Sequence, residues 1–230
     1  MTTPEAQAPA LVFDLDGTLI DSIPQVAAAV NATLTEAARP TLSLDAVRDM
    51  IGDGARVTVE RAFAATGGAG GVDIGAMIER YLAHYLADPA AHTAVFPGVV
   101  EVLEQFQRAG AIMGICTNKP GATTRPVLDA LDLSRYFAAV VTADDTPHRK
   151  PDGRHVLDTL AAMNADRAGA VFIGDSEPDM AAARDAGVPA VLVAYGYGRA
   201  AVNALPAAAR IERFHDLPAA VTAIIARRKK

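Results

Sequence analysis

Short, almost wholly apolar runs recur at residues 10–13, 111–116, 139–142, 170–173 and 189–193, each followed closely by Gly, Asn or Asp. Runs of this length without polar alternation suit strands covered on both faces. Between them the apolar positions change to a helical period, at 99–109, 123–131, 154–163, 179–186 and 217–226. Strands that alternate with helices in this way predict an α/β protein with a parallel sheet. Gly110 and Gly187 follow two of the helices, where a left-handed residue ends the last turn.

The rhythm fails once. About a hundred residues separate the first apolar run from the second, far more than one crossover helix needs. Residues 23–38, 44–50, 55–66 and 74–87 carry helical patterns, and no strand pattern interrupts them. Gly67, Gly68, Gly70 and Gly71 read as a flexible connection between two of these helices rather than a phosphate loop, because no strand precedes them. The chain therefore divides into a core of residues 1–21 and 92–230 and an all-helical cap of residues 22–91. An insertion placed directly after a strand stands over the crevice where α/β sheets bind ligands, so it is well placed to act as a lid.

Composition narrows the picture. The 230 residues are 51% hydrophobic and 21% charged, enough apolar material for a substantial core. Ala dominates much of that apolar fraction, which predicts more helix than average. A formal net charge of −6 argues against a nucleic-acid surface, and the basic residues 227–230 read as a solvated helix end. Cys116, the single cysteine, excludes an internal disulfide, fits a reducing compartment and sits in an apolar run as a buried thiol. Residues 1–10 lack the basic and apolar segments of a signal peptide, and no apolar stretch is long enough to cross a bilayer. The expectation is a soluble, cytoplasmic protein with no membrane partner. His84, His92, His148, His155 and His215 show no ligand spacing and receive no role. Nothing in the pattern sets an oligomeric state.

Four polar clusters follow four of the predicted strands. The first is Phe13 to Ser22, FDLDGTLIDS, with Asp14 and Asp16 two apart and Gly17 allowing a sharp turn. Two close carboxylates in a crevice repel unless a cation joins them, and a hard, oxygen-seeking ion such as Mg²⁺ answers that need. The Asp-Gly pair alone equally suits an ordinary turn. The second cluster, Thr117-Asn118-Lys119-Pro120, puts hydroxyl and amide donors before a helix, where they can hold an anion or simply cap. The third is Lys150-Pro151, a cation on a loop that proline fixes. The fourth, Gly174 to Asp179, brings Asp175 and Asp179 across a strand-to-helix turn. Carboxylates, a cation and neutral donors at one sheet edge suit phosphoryl transfer, which is mostly positioning and charge neutralisation.

These motifs, in this order, resemble those of a haloacid dehalogenase superfamily phosphatase, and specifically the phosphoglycolate phosphatase group. Ile51-Gly52-Asp53-Gly54-Ala55, Phe96-Pro97-Gly98-Val99 and Tyr195-Gly196-Tyr197-Gly198 extend the similarity over nearly the whole chain. The resemblance implies a Rossmann-like parallel sheet core with an inserted all-helical cap, and hydrolysis of a small phosphorylated metabolite, 2-phosphoglycolate in this group. It implies that Asp14 is the nucleophile and a Mg²⁺ ligand. Asp16 would be the acid and base and bind the metal through its carbonyl. Asp175 would be a further metal ligand, and Asp179 would fix the metal shell and orient Lys150. Thr117, Asn118 and Lys150 would bind phosphate. On the cap, glycines including Gly54 let the backbone approach a ligand, and Arg56 at the next helix start can hold a carboxylate or stay solvated.

Two departures bear on substrate. Thr142-Ala143-Asp144-Asp145 stands where the family often has Gly-Gly-Asp, and Asp152-Gly153-Arg154 where many members continue with Asp-Pro. The alternatives are a phosphomutase of the same superfamily, or a phosphatase for another small organophosphate or pyrophosphate. Gly174-Asp175, in place of the Glu-Asp that such mutases resemble one another in carrying, favours the phosphatase. A dehalogenase lacks an equivalent of Asp16, and a non-catalytic scaffold has no reason to keep all four motifs.

Overall fold

The computed structural model describes residues 9–52, 54–68, 70–198 and 204–228. Asp53 of the cap loop, residues 1–8 and the last two lysines lie outside them. In chain order, β1 (Ala10–Phe13) and the short β2 (Ile20–Asp21) precede four helices, α1 (Ile23–Glu36), α2 (Leu44–Arg48), α3 (Ala55–Ala65) and α4 (Ile74–Ala87). After β3 (Ala94–Val95) the chain alternates through α5 (Val99–Arg108), β4 (Ile112–Cys116), α6 (Gly121–Ala130), β5 (Ala139–Val141) and α7 (Gly153–Ala162). It closes with β6 (Ala170–Gly174), α8 (Glu177–Asp185), β7 (Ala190–Val193), β8 (Ala209–Ile211) and α9 (Leu217–Arg228).

Six strands form one sheet in the order β5-β4-β1-β6-β7-β8, all parallel. Alternate residues of each strand face opposite layers. Leu11, Phe13, Met113, Ile115, Val171 and Ile173 join one core with side chains of α5, α6 and α9. Ala10, Val12, Cys116, Ala170 and Phe172 join the other with α7 and α8. This two-sided burial is why the strand sequences read as continuous apolar runs. Burial pushes the Cys116 thiol up to about 12, leaving it an inert core residue. Gly110 and Gly187 adopt φ of +77° and +67°, as the helix ends require.

The strand that the hydrophobic pattern misses is β8. It is three residues long, contains the exposed Arg210, and lies at the sheet edge, so it lacks the apolar run of the others. The still shorter β2 and β3, two residues each, also escape that pattern; they pair antiparallel, Ile20 with Val95 and Asp21 with Ala94, and so bracket the four inserted helices. Those helices enclose a separate hydrophobic cluster that includes Val30, Leu34, Phe63 and Tyr85. Gln25 ties its base together: Nε2 donates to the carbonyls of Tyr85 and Asp88 at 3.1 and 2.8 Å, and Oε1 accepts from His92 N–H at 3.0 Å. The glycine-rich connection after α3 is held rather than loose, because the Arg39 guanidinium donates to the carbonyls of Thr66 and Gly68, each at 2.8 Å. Among the described residues no helix is long and apolar enough to cross a membrane.

Candidate active site

The four strands that carry the polar clusters, β5, β4, β1 and β6, are neighbours in the sheet. Because neighbouring strands lie about 4.8 Å apart, residues far apart in sequence meet beyond their carboxyl ends. Asp14 follows β1, Thr117 follows β4, Lys150 comes from the loop after β5, and Asp175 follows β6. All four, with Asp179, are buried.

Lys150 Nζ lies 2.7 Å from Asp14 Oδ1 and donates to Asp179 Oδ1 at 2.7 Å. Burial, reinforced by the repulsion of Asp179, pushes the Asp14 carboxyl up to about 7 against the pull of Lys150. Asp175 is raised well above the carboxylate range by burial and by the charges of Asp179 and Asp14. For Lys150, burial works against the charged form, but Asp14 and Asp179 overcome it and hold the ammonium protonated. Asp14, Asp175 and Asp179 each offer an oxygen within 4.8 Å of the others. One lysine balances one of their three charges. The remaining two fit a hard divalent cation.

The hydrogen bonds sort the three carboxylates. Asp179 accepts from Lys150 Nζ on one oxygen, and from the N–H groups of Asp175 and Ser176 and the Ser176 hydroxyl on the other. The three donors on that second oxygen saturate it, and this capping box also starts α8. Asp175 accepts from Thr18 Oγ1 at 3.1 Å and from Tyr197 N–H at 2.7 Å, which leaves lone pairs toward Asp14. Space around Asp175 is tight. A Cβ added at Gly196 would lie 2.3 Å from Asp175 Cβ, and one at Gly17 would lie 2.5 Å from Asp175 Oδ2.

Asp16 has a different setting. Ser22 Oγ donates to its Oδ1 at 2.6 Å, and Lys119 Nζ donates to Oδ1 and Oδ2 at 3.0 and 3.1 Å. Lys119 belongs to the second sequence cluster, whose hydroxyl and amide donors alone suggest a function, so the sequence assigns it no role. Tyr197 was likewise visible only as part of a Tyr-Gly-Tyr-Gly similarity. Its hydroxyl accepts from Ser22 N–H at 2.6 Å and donates to Asp21 Oδ1 at 3.0 Å, joining the site to the entry of the inserted helices.

A cavity of about 580 Å³ lies between the sheet edge and the inserted helices. Asp14, Asp16, Thr117, Asn118, Lys150 and Asp175 all line it. Asn118, expected to bind phosphate, lines the cavity but has its side chain committed elsewhere. Its amide is engaged with the main chain of Lys150, Nδ2 donating to the carbonyl and Oδ1 accepting from the N–H, both at 2.9 Å. On the cap side Gly54 lines the cavity, as do Arg48 and Thr58, but Arg56 does not. Arg56 is 68% exposed and faces Glu60 one turn along α3 at 3.5 Å, because the helical period turns it outward. The departures near the third motif brace the loops: Asp144 accepts from Gly121 N–H at 2.8 Å, and Asp145 accepts from Thr142 and pairs with Arg125.

The model of the haloacid dehalogenase-like hydrolases matches residues 11–193. The chain belongs to this family. It is 45% identical over 216 residues to a phosphoglycolate phosphatase of Caulobacter vibrioides, covering 94% of this chain and 91% of that one. A phosphoglycolate phosphatase of Rhodospirillum rubrum is 39% identical over 213 residues, covering 90% and 88%. A crystal structure of a predicted phosphoglycolate phosphatase from Haemophilus somnus superposes with a TM-score of 0.86 at 26% identity, covering 93% of this chain and 98% of that one. The family match and these relatives identify this haloacid dehalogenase-like protein as a phosphatase built on a six-stranded parallel sheet.

The cation fit has a consequence for stability. A ligand that binds the folded state alone stabilises it by about 1.4 kcal/mol at ten times its Kd, so added Mg²⁺ should raise the Tm of the parent protein. In Gly196→Ala the new methyl group meets Asp175 and the Gly17 carbonyl, so the turn that places the Asp175 carboxylate must shift, and the rise should largely vanish. Equal rises in thermal unfolding of both proteins would place the cation elsewhere.

Proposed function

We propose that the protein hydrolyses 2-phosphoglycolate in two steps, through a phosphoryl group carried on Asp14, with Mg²⁺ as cofactor. The observation that carries this reading is one cavity holding two aspartates two residues apart, each with its own lysine: Asp14 with Lys150 and Asp16 with Lys119. The relatives named phosphoglycolate phosphatase support the substrate.

In the first step an oxygen of Asp14 attacks phosphorus, the bond from phosphorus to the leaving oxygen breaks, and Asp16 gives its proton to the departing alkoxide. Glycolate leaves. In the second step a water oxygen attacks phosphorus, Asp16 takes a proton from that water, the bond to Asp14 breaks, and inorganic phosphate is released. An acid that has given up its proton in one step is ready as the base of the next. The Lys150 ammonium and the Thr117 hydroxyl hold phosphate oxygens, and Asn118 fixes the main chain of Lys150. Asp14, Asp175 and the main-chain carbonyl of Asp16 would hold Mg²⁺, whose charge keeps the buried carboxylates ionised and neutralises the transferred group. Asp179, anchored through its other oxygen to the turn that starts α8, orients Lys150.

Asp14→Asn keeps the shape and removes the attacking charge. Turnover should fall by at least about a thousandfold, the scale of losing a covalent nucleophile; a variant keeping a tenth of parental activity contradicts the mechanism. Carboxylate recognition falls to Arg48, the cap arginine that lines the cavity, whose partner Asp45 at 3.0 Å is mostly exposed and easily exchanged. Arg48→Ala should raise KM for 2-phosphoglycolate by roughly tenfold or more, the loss of one charge-assisted hydrogen bond, with little change for p-nitrophenyl phosphate. A parallel change on both substrates removes Arg48 from specificity.

A further inference from the structure

Lys119 has no part in the scheme above beyond its partner, yet its placement is unusual for a lysine. Its side chain is 8% exposed in a cavity wall. The ammonium donates to both oxygens of Asp16 and lies 4.9 Å from the centre of the Tyr85 ring. Burial opposes its charge, and the nearby Asp16 carboxylate restores it. Tyr85 is fully buried and Tyr81 nearly so, and both belong to α4 of the inserted helices. Lys119 itself precedes α6 of the core. One ammonium thus touches the carboxylate of the core and the aromatic face of the cap.

We propose that Lys119 is the positioning residue for Asp16: it fixes the direction of the acid–base carboxyl toward the leaving oxygen, and the tyrosines of α4 seat it for that task. The inference rests on the acid–base role given to Asp16. Ser22 holds one oxygen, about which the carboxyl can swing; Lys119 reaches both and fixes the direction of the group, so that the two residues together set its aim and its plane. Stability is a poor reason for the arrangement. Pairing a largely dehydrated ammonium with a partly exposed carboxylate returns little net free energy, and an apolar side chain would fill the wall beneath Tyr85 as well. The direction of the carboxyl is what an apolar side chain could not supply. Misplacing a reacting group by about 1 Å can cost roughly a hundredfold. The Tyr85 ring adds a contact from α4 to the two core hydrogen bonds that hold the Lys119 ammonium.

The test compares parent, Lys119→Met, Lys119→Gln, Asp16→Asn and the double variant Asp16→Asn/Lys119→Met on 2-phosphoglycolate and on p-nitrophenyl phosphate, whose leaving group needs little protonation. Lys119→Met should lower kcat on 2-phosphoglycolate by about ten- to a hundredfold and on p-nitrophenyl phosphate much less. Lys119→Gln, which keeps a donor, should recover part of the loss and serves if the Met variant does not fold. Adding Lys119→Met to Asp16→Asn should change nothing further. Equal losses on the two substrates, or losses that multiply in the double variant, overturn the proposal. If Asp16→Asn itself fails to distinguish the substrates, the acid–base role of Asp16 fails instead, and the two failures are told apart.

Discussion

Asp14, Asp175 and Asp179 present oxygens within 4.8 Å of one another where water is nearly excluded, and Lys150 is the ammonium held against two of them. Like charges at that spacing in a poorly solvated place repel strongly, so the arrangement needs Lys150, bound protons or a further cation to balance it. Much of the local structure follows from that constraint. The sheet order puts the four contributing strands side by side. Asp179 gives up its free lone pairs to the turn it caps, and Asn118 spends its amide on holding the main chain of Lys150. Gly17 and Gly196 keep side chains away from Asp175.

The same constraint divides the two aspartates of the first motif. Asp14 is enclosed by carboxylates and one lysine, a setting for a group that attacks phosphorus once its charge is compensated. Asp16 points into the cavity, where a serine and a second lysine hold it away from that cluster. Two residues apart in sequence, they line the same cavity but meet different partners, Lys150 for Asp14 and Lys119 with Ser22 for Asp16. The inserted helices complete the second setting rather than the first: Tyr85 covers Lys119, while Tyr197 ties Asp175 to the segment that leads into α1.

Most of the fold and the charged centre could be read from the chain, because each depends on a local signal. Two-sided burial made the inner strands uniformly apolar, and each of Asp14, Thr117, Lys150 and Asp175 directly follows or closely trails such a run. What escaped depends on relations that no local pattern records. β8 is an edge strand with an arginine in its middle, and β2 with β3 is a two-residue pairing across the whole insertion. Lys119 looks like any lysine until Asp16 and Tyr85, 103 residues away and on the cap respectively, close around it. Arg56 stands at an attractive helix start, yet its direction is set by the turn of α3, and Arg48 on the preceding helix faces the cavity instead.

If the negative centre lets Asp14 carry a phosphoryl group, that group can be trapped. Enzyme turning over 2-phosphoglycolate with Mg²⁺ is quenched in acid, treated with borohydride, which reduces an acyl phosphate to an alcohol, and digested for mass spectrometry. The account predicts homoserine at position 14 and nowhere else, dependent on substrate. Rapid turnover with aspartate unchanged at position 14, or reduction at another carboxylate, would contradict it.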